Sequence, residues 1–229
     1  MKLTHLLGAL TVSAGLVTTA NAATTAKPST SISKTAAFVT DYVYRGESWT
    51  DNKPAIQGGI EYKVGNAYMG AWGSNIEDGG AQEGVPVMVE AYFGYNHQFG
   101  KFNLDTSVKT YNFLNELGDF TEFRFATNPT KELELAVNRE VKYGAWFIEG
   151  SFEKYLPHRL YLDLSGGLWS VDDGDQALTF RAELARDFPE FHHVDVFAAI
   201  NYLSDETFRF EDNTDSSDMT VLLGVRKNF

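Results

Sequence analysis

MTVLLGVRKNF, residues 219–229, alternates with a period of two. Met219, Val221, Leu223, Val225 and Phe229 share one face, and Thr220, Gly224, Arg226 and Asn228 share the other. That pattern describes a strand with one apolar and one polar side. A soluble domain rarely ends on such a strand with an aromatic last residue. The closing strand of a membrane β-barrel does, and Val221, Leu223, Val225 and Phe229 are its expected lipid-facing residues. Lys227 departs from the pattern, since an apolar or aromatic residue is usual three from the end.

The opposite end agrees. Lys2 supplies a positive charge, residues 6–17 a short apolar core, and Ala20-Asn21-Ala22 a small-x-small cleavage site. Together they predict a cleaved secretory signal over residues 1–22, too short for a membrane helix. Residues 23–34, rich in Thr, Ser and Ala with Pro28, have no periodicity and are expected to form a disordered periplasmic leader. The single domain is then residues 35–229.

Composition narrows the function. A formal charge of -12 argues against nucleic acid as a partner. The chain has no cysteine, so disulfides and thiolate metal sites play no part. No apolar run after the signal approaches the ~20 residues of a spanning helix. Even so, 17 Phe, 11 Tyr and 4 Trp are spread over many short segments. A barrel accounts for both facts, because alternate residues face lipid and aromatic girdles line its rims.

Strands are predicted at 35–45, 55–64, 67–76, 87–99, 102–113, 120–127, 132–138, 143–154, 160–170, 177–188, 194–203 and 219–229. The third has aromatic and small residues on both faces and cannot be oriented from sequence. With both termini periplasmic, the connections 46–54, 77–86, 114–119, 139–142, 171–176 and 204–218 are extracellular. Those at 65–66, 100–101, 128–131, 155–159 and 189–193 are periplasmic. The first set is mostly longer and holds the acidic clusters, as expected of a barrel with an even strand number. The competing architecture is a secreted soluble barrel or sandwich with its apolar face inward. Alternation alone does not separate the two, but the strand number and the terminal Phe229 favour the membrane form.

Residues 40–78 read TDYVYRGESWTDNKPAIQGGIEYKVGNAYMGAWGSNIED. The stretch resembles the amino-terminal signature of the TorF-type porin family of proteobacterial outer-membrane β-barrels. The resemblance rests on Asp41, Tyr42, Arg45, Gly46, Asp51, Asn52, Lys53, Pro54, Ala55, Gln57, Gly58, Gly59, Tyr68, Gly70, Trp72, Ser74 and Asn75. Glu47 and Trp49 stand where Ile and Gln are expected. It implies an outer-membrane barrel of porin type and brings no substrate with it.

The expected register directs Asp41, Arg45, Glu61, Glu90, Asp105, Lys109, Glu122, Arg124, Asp163, Arg181, Glu183 and Arg226 inward as pore-lining candidates. Glu132, Glu134, Glu149, Asp195 and Lys63 are assigned to the same side. Charges inside a barrel must be paired or hydrated. Acids outnumber bases, so cations or neutral solutes are favoured over anions. The histidines left after signal cleavage, His97, His158, His192 and His193, sit at or near the periplasmic turns, so no nucleophile-histidine pair is expected. The acidic run 212–218 lacks the glycine and terminal glutamate of a calcium loop. The sequence therefore predicts an all-β, about twelve-stranded antiparallel outer-membrane barrel that passes small hydrophilic solutes without a cofactor. Its expected partners are outer-membrane lipids and the barrel assembly machinery. The alternative is a plugged barrel with a structural, adhesive or sensing role; an enzyme ranks behind both.

Overall fold

In a computed structural model of the chain, the residues described are 29–77, 86–114, 119–172, 176–192, 194–204 and 219–229. In chain order the strands are β1 (Thr30–Val39), β2 (Val43–Tyr44), β3 (Glu47–Ser48), β4 (Ala55–Val64), β5 (Ala67–Asn75), β6 (Val87–Phe99) and β7 (Phe102–Phe113). There follow β8 (Phe120–Thr127), β9 (Leu133–Glu140), β10 (Ala145–Leu156), β11 (Leu160–Val171), β12 (Gln176–Phe188), β13 (Val194–Leu203) and β14 (Met219–Asn228). Apart from β2 and β3, which pair only with each other, these strands form one closed barrel of antiparallel neighbours.

The stretch 219–229 does close the barrel. β14 pairs with β1 from Thr35↔Asn228 to Val39↔Gly224, and the Phe229 N–H donates to the Lys34 carbonyl at 2.9 Å. Closure leaves no unpaired edge. The Lys227 ammonium lies 4.9 Å from the centre of the Phe229 ring. Its chain is half-buried at the rim, where a long stem can cover apolar surface while the charge reaches water.

The outer face is apolar on nearly every strand. Ile56, Ile60, Phe93, Phe125, Ile148, Leu178, Phe180, Ile200, Val221 and Leu223 all stand exposed, Ile56 to 73 % and Val221 to 64 %. A belt of this size has no place on a soluble monomer. Tyr62, Tyr95, Phe99 and Phe102 mark one rim, and Trp146 and Tyr202 the other. Short turns at 65–66 and 100–101 and the one-turn 3-10 elements Pro157–Arg159 and Pro189–Phe191 join strands at the first rim. We call this the turn rim and the opposite one the loop rim.

Five predicted strands coincide with observed ones, and the differences have physical causes. β1 begins at Thr30, so the last residues of the expected leader are strand, paired with β4 from Thr30↔Val64 onward. It ends at Val39, well short of Arg45. Arg45 and Gly46 have φ of 50° and 91°, left-handed values that an extended strand cannot continue through. Glu132 is exposed ahead of β9 rather than inward. The third predicted strand, β5, turns Tyr68, Gly70, Trp72 and Ser74 inward, opposite Gly94, Tyr92, Glu90 and Met88 of β6. Its mixed composition follows from that pairing. The Tyr92 ring occupies the space a side chain at Gly70 would need, and the Tyr68 ring does the same at Gly94. Phe197 covers Gly224 and Phe147 covers Gly167 in the same way. Glycine thus lets large rings lie flat against a narrow inner wall. Residues 205–218 of the last expected extracellular connection and most of the acidic cluster 172–175 lie outside the described residues.

Candidate functional site: the barrel lumen

The connection between β1 and β4 turns into the barrel instead of arching over it. Asp41 anchors its base, where its Oδ1 accepts hydrogen bonds from Ser48 Oγ at 2.6 Å and Thr50 Oγ1 at 2.8 Å. Burial raises the Asp41 carboxyl above its usual range, and these two bonds partly offset that. The Tyr42 N–H donates to Thr50 Oγ1, and the Trp49 N–H to the Tyr42 carbonyl. From this base β2 and β3 project as a two-rung hairpin.

The hairpin is lined with aromatic residues and reaches across the lumen. Tyr42 packs against Trp72 of β5 at 5.3 Å between ring centres. Tyr44 meets Tyr111 of β7, with hydroxyls 3.2 Å apart, and stands edge-on to Trp169 of β11. At the tip, Arg45 Nη2 lies 2.7 Å from Glu122 Oε2 of β8. Its guanidinium is 4.2 Å from the centre of the Phe147 ring and 5.3 Å from that of Trp169. A side chain at Gly46 would press on Leu203 and on the Tyr202 carbonyl of β13. Asp41 and Arg45 are therefore not wall residues, as their expected place on strand one required, but parts of an inserted hairpin.

Nearer the turn rim the charges belong to the wall. Arg226 of β14 holds Glu183 of β12 at 3.0 Å, donates to the Tyr161 hydroxyl at 2.8 Å and lies 3.7 Å from Asp195. Arg181 donates to the other Glu183 oxygen at 2.6 Å and to Asn201 at 2.8 Å. Asp163 faces Glu183 in register across β11 and β12. On the opposite wall, Arg124 donates to Glu134 and sits 3.8 Å from Glu149, while closer to the loop rim Lys109 lies 3.6 Å from Glu90. Two phenols serve two further acids: Tyr68 donates to Asp105 at 2.6 Å and Tyr92 to Glu61 at 3.2 Å. Lys63 also faces inward, paired with Tyr68 across β4 and β5. Among the described residues, no His, Asp and Glu side chains converge as metal ligands would.

The sequence reading overlooked the aromatic residues that face inward. Tyr111 and Trp169 fall on the same strand faces as Lys109 and Asp163, already assigned inward, so strand parity would have found them. Tyr44 and Trp49 carried no such signal, because a hairpin folded into the lumen has no period to extend.

An antiparallel twelve-stranded barrel with an apolar belt and a charged, aromatic interior defines a transmembrane β-barrel, a fold shared with outer-membrane porins. Within that class the chain belongs to the family described as "Bacterial protein of unknown function (Gcw_chp)", whose profile matches residues 22–144. The matched region includes the whole inserted hairpin. No curated protein matches the chain by sequence. Among solved structures it is similar to "KdgM porin" (TM-score 0.56, 11% identity, 86% of this chain and 99% of that one). It is also similar to "KdgM porin in complex with disordered oligogalacturonate" (0.53, 12%, 88% and 99%). A further match is the Acinetobacter baumannii outer membrane protein Omp33 (0.47, 9%, 89% and 98%). At these identities the likeness is one of fold.

Proposed function

We propose that the protein is an outer-membrane channel for passive diffusion of small hydrophilic solutes, narrowed at its loop-rim half by the inserted hairpin. One observation carries the reading: a closed barrel with lipid-compatible residues outside and charged residues inside, in the fold shared with the KdgM porin. No cofactor enters, since a concentration gradient supplies the driving force. The long connections face the cell exterior, the termini face the periplasm, and the protein reaches the membrane through its signal peptide and the barrel assembly machinery.

The pore-lining set is Glu61, Glu90, Asp105, Lys109, Glu122, Arg124, Asp163, Arg181, Glu183 and Arg226. Acid predominates along this wall, which should concentrate cations and repel anions, more strongly at low salt where screening is weak. The KdgM structure with oligogalacturonate holds a polyanion; an acidic wall suits cationic or neutral solutes instead. Planar-bilayer recording in a salt gradient tests both parts. The expected result is conductance with a mildly cation-selective reversal potential, and an anion-selective one would overturn the charge assignment.

The plugged-barrel alternative has its own supporting observation, the hairpin packed against β5, β7, β8, β10, β11 and β13. It requires a lumen that stays silent under all conditions, and the same recording separates the two.

A further inference from the structure

Among the described residues, the inward arginines Arg124, Arg181 and Arg226 are fixed to barrel strands. Arg45 alone reaches the lumen on a connection. The place it occupies is built mostly by others. Glu122 supplies the carboxylate from β8 with its side chain 1 % exposed. Phe147 of β10 and Trp169 of β11 supply ring faces at cation–π distance. All three stay with the wall wherever the hairpin goes.

The fit of Arg45 to this place is incomplete. Arg45 Nη2 comes within 2.7 Å of Glu122 Oε2, yet among the described residues neither buried Glu122 oxygen accepts a well-aligned hydrogen bond. A guanidinium and a carboxylate can make two parallel bonds, the stronger and more specific arrangement. Arg45 does not reach that arrangement, and it is carried on a tether that itself runs through left-handed backbone at Arg45 and Gly46. Lys109 stands opposite Glu122 in register, yet its ammonium is directed towards Glu90.

We propose that Glu122, Phe147 and Trp169 form a recognition site for guanidinium-bearing solutes, occupied at rest by the chain's own Arg45. Solute and hairpin then compete for one carboxylate, and a solute that wins both binds the wall and displaces the constriction. A free guanidinium is not restricted by the hairpin and satisfies both Glu122 oxygens. The inference deepens the channel reading by naming a solute class, and it rests on that reading for its physiological meaning.

The test uses the purified full-length barrel in detergent micelles. Intrinsic tryptophan fluorescence, to which Trp169 contributes, is titrated with L-arginine and with L-citrulline, its uncharged isostere. Arg45→Ala should show a saturable response to arginine and none to citrulline, and Glu122→Gln in the same background should abolish it. The unchanged protein should need at least about tenfold more arginine, because only the undocked fraction is competent to bind. Heat-modifiable migration on gels verifies folding of each variant. If Arg45→Ala fails that check, Arg45→Gln, which keeps most of the side-chain volume, carries the same titration. A response absent from the Arg45 variant, equal for citrulline, or surviving Glu122→Gln would overturn the proposal. Binding in micelles does not require conductance. A barrel silent in bilayers that still binds arginine defeats the channel reading and leaves the site standing; a conducting barrel that ignores arginine does the reverse.

Discussion

The two halves of the lumen hold the same chemical pair, arginine against a buried carboxylate, delivered in different ways. Near the turn rim, Arg226 and Glu183 belong to β14 and β12, and their pairing spans the wall itself. Towards the loop rim, Glu122 belongs to β8 but Arg45 arrives on a hairpin that shares no ladder with the barrel. Separating the first pair means distorting strands. Separating the second means lifting a two-rung hairpin while every barrel hydrogen bond stays in place. A strand-borne pair therefore fixes the wall, whereas a loop-borne pair sets how far the bore is filled.

The largest expected effect tests that distinction. Arg226→Ala leaves Glu183, 1 % exposed, with Arg181 as its remaining partner, and removing one member of a buried pair costs about 3–5 kcal/mol. Arg45→Ala should cost clearly less in global stability, because the hairpin can lift and let water reach Glu122. Urea unfolding in lipid vesicles measures both, and equal losses would dissolve the distinction between the halves.

Next in size is a change on the outer wall, away from either half of the lumen. Leu223 stands 57 % exposed on β14, and Leu223→Arg near the midplane should cost about 2–4 kcal/mol in a bilayer. If the same change is harmless in vesicles, that face does not meet lipid. Gly94→Ala comes third. Its methyl group would meet the Tyr68 ring, and overpacking of this kind costs about 1–3 kcal/mol. The loss should be accompanied by displacement of the Tyr68 phenol from Asp105, visible as a change in the tyrosine near-UV signal.

The smallest effect belongs to the exposed rim. Arg139 pairs with Asp172 through two 3.0 Å hydrogen bonds, which hold the Asp172 carboxyl below its usual range. Such exposed pairs contribute little to stability, because solvent screens them. Arg139→Ala should therefore give the smallest loss of these variants in the same unfolding assay, and a loss comparable with Arg226→Ala would show that rim charges have been undervalued.

The barrel was legible because its information is local. Val194, Val196 and Ile200 alternate with Asp195, Ala199 and Asn201 without interruption, and the bounds of β13 followed directly. Gly100 and Lys101, or Gly65 and Asn66, end strands through turn chemistry that a few residues specify. The inserted hairpin was not legible for the opposite reason. Asp41, Tyr42, Tyr44 and Arg45 continue the alternation of β1 well enough to extend it, and their neighbours on β7, β8, β10 and β11 are distant in sequence. Only the left-handed conformations at Arg45, Gly46, Asp51 and Asn52 separate the segment from a strand. Of these, Gly46 and Asn52 were the visible hints. The charged wall candidates were reachable from parity alone, but their partners were not. Parity assigns Glu183 a side, whereas its bonds to both Arg181 and Arg226 depend on how three strands lie beside one another.

The central claim is that the hairpin occupies the bore and that its release opens it. The chain has no cysteine, and a Cβ at Gly46 would stand 3.0 Å from Leu203 Cβ, close to the ~3.5–4.5 Å of a disulfide. Gly46→Cys with Leu203→Cys, made together with Arg45→Ala, should give a hairpin tied to β13 when oxidised and untethered when reduced. Single-channel conductance of that one protein, before and after addition of dithiothreitol, is the most direct measurement. The account predicts low conductance in the oxidised barrel and a several-fold rise on reduction. Identical conductance in the two states would contradict it.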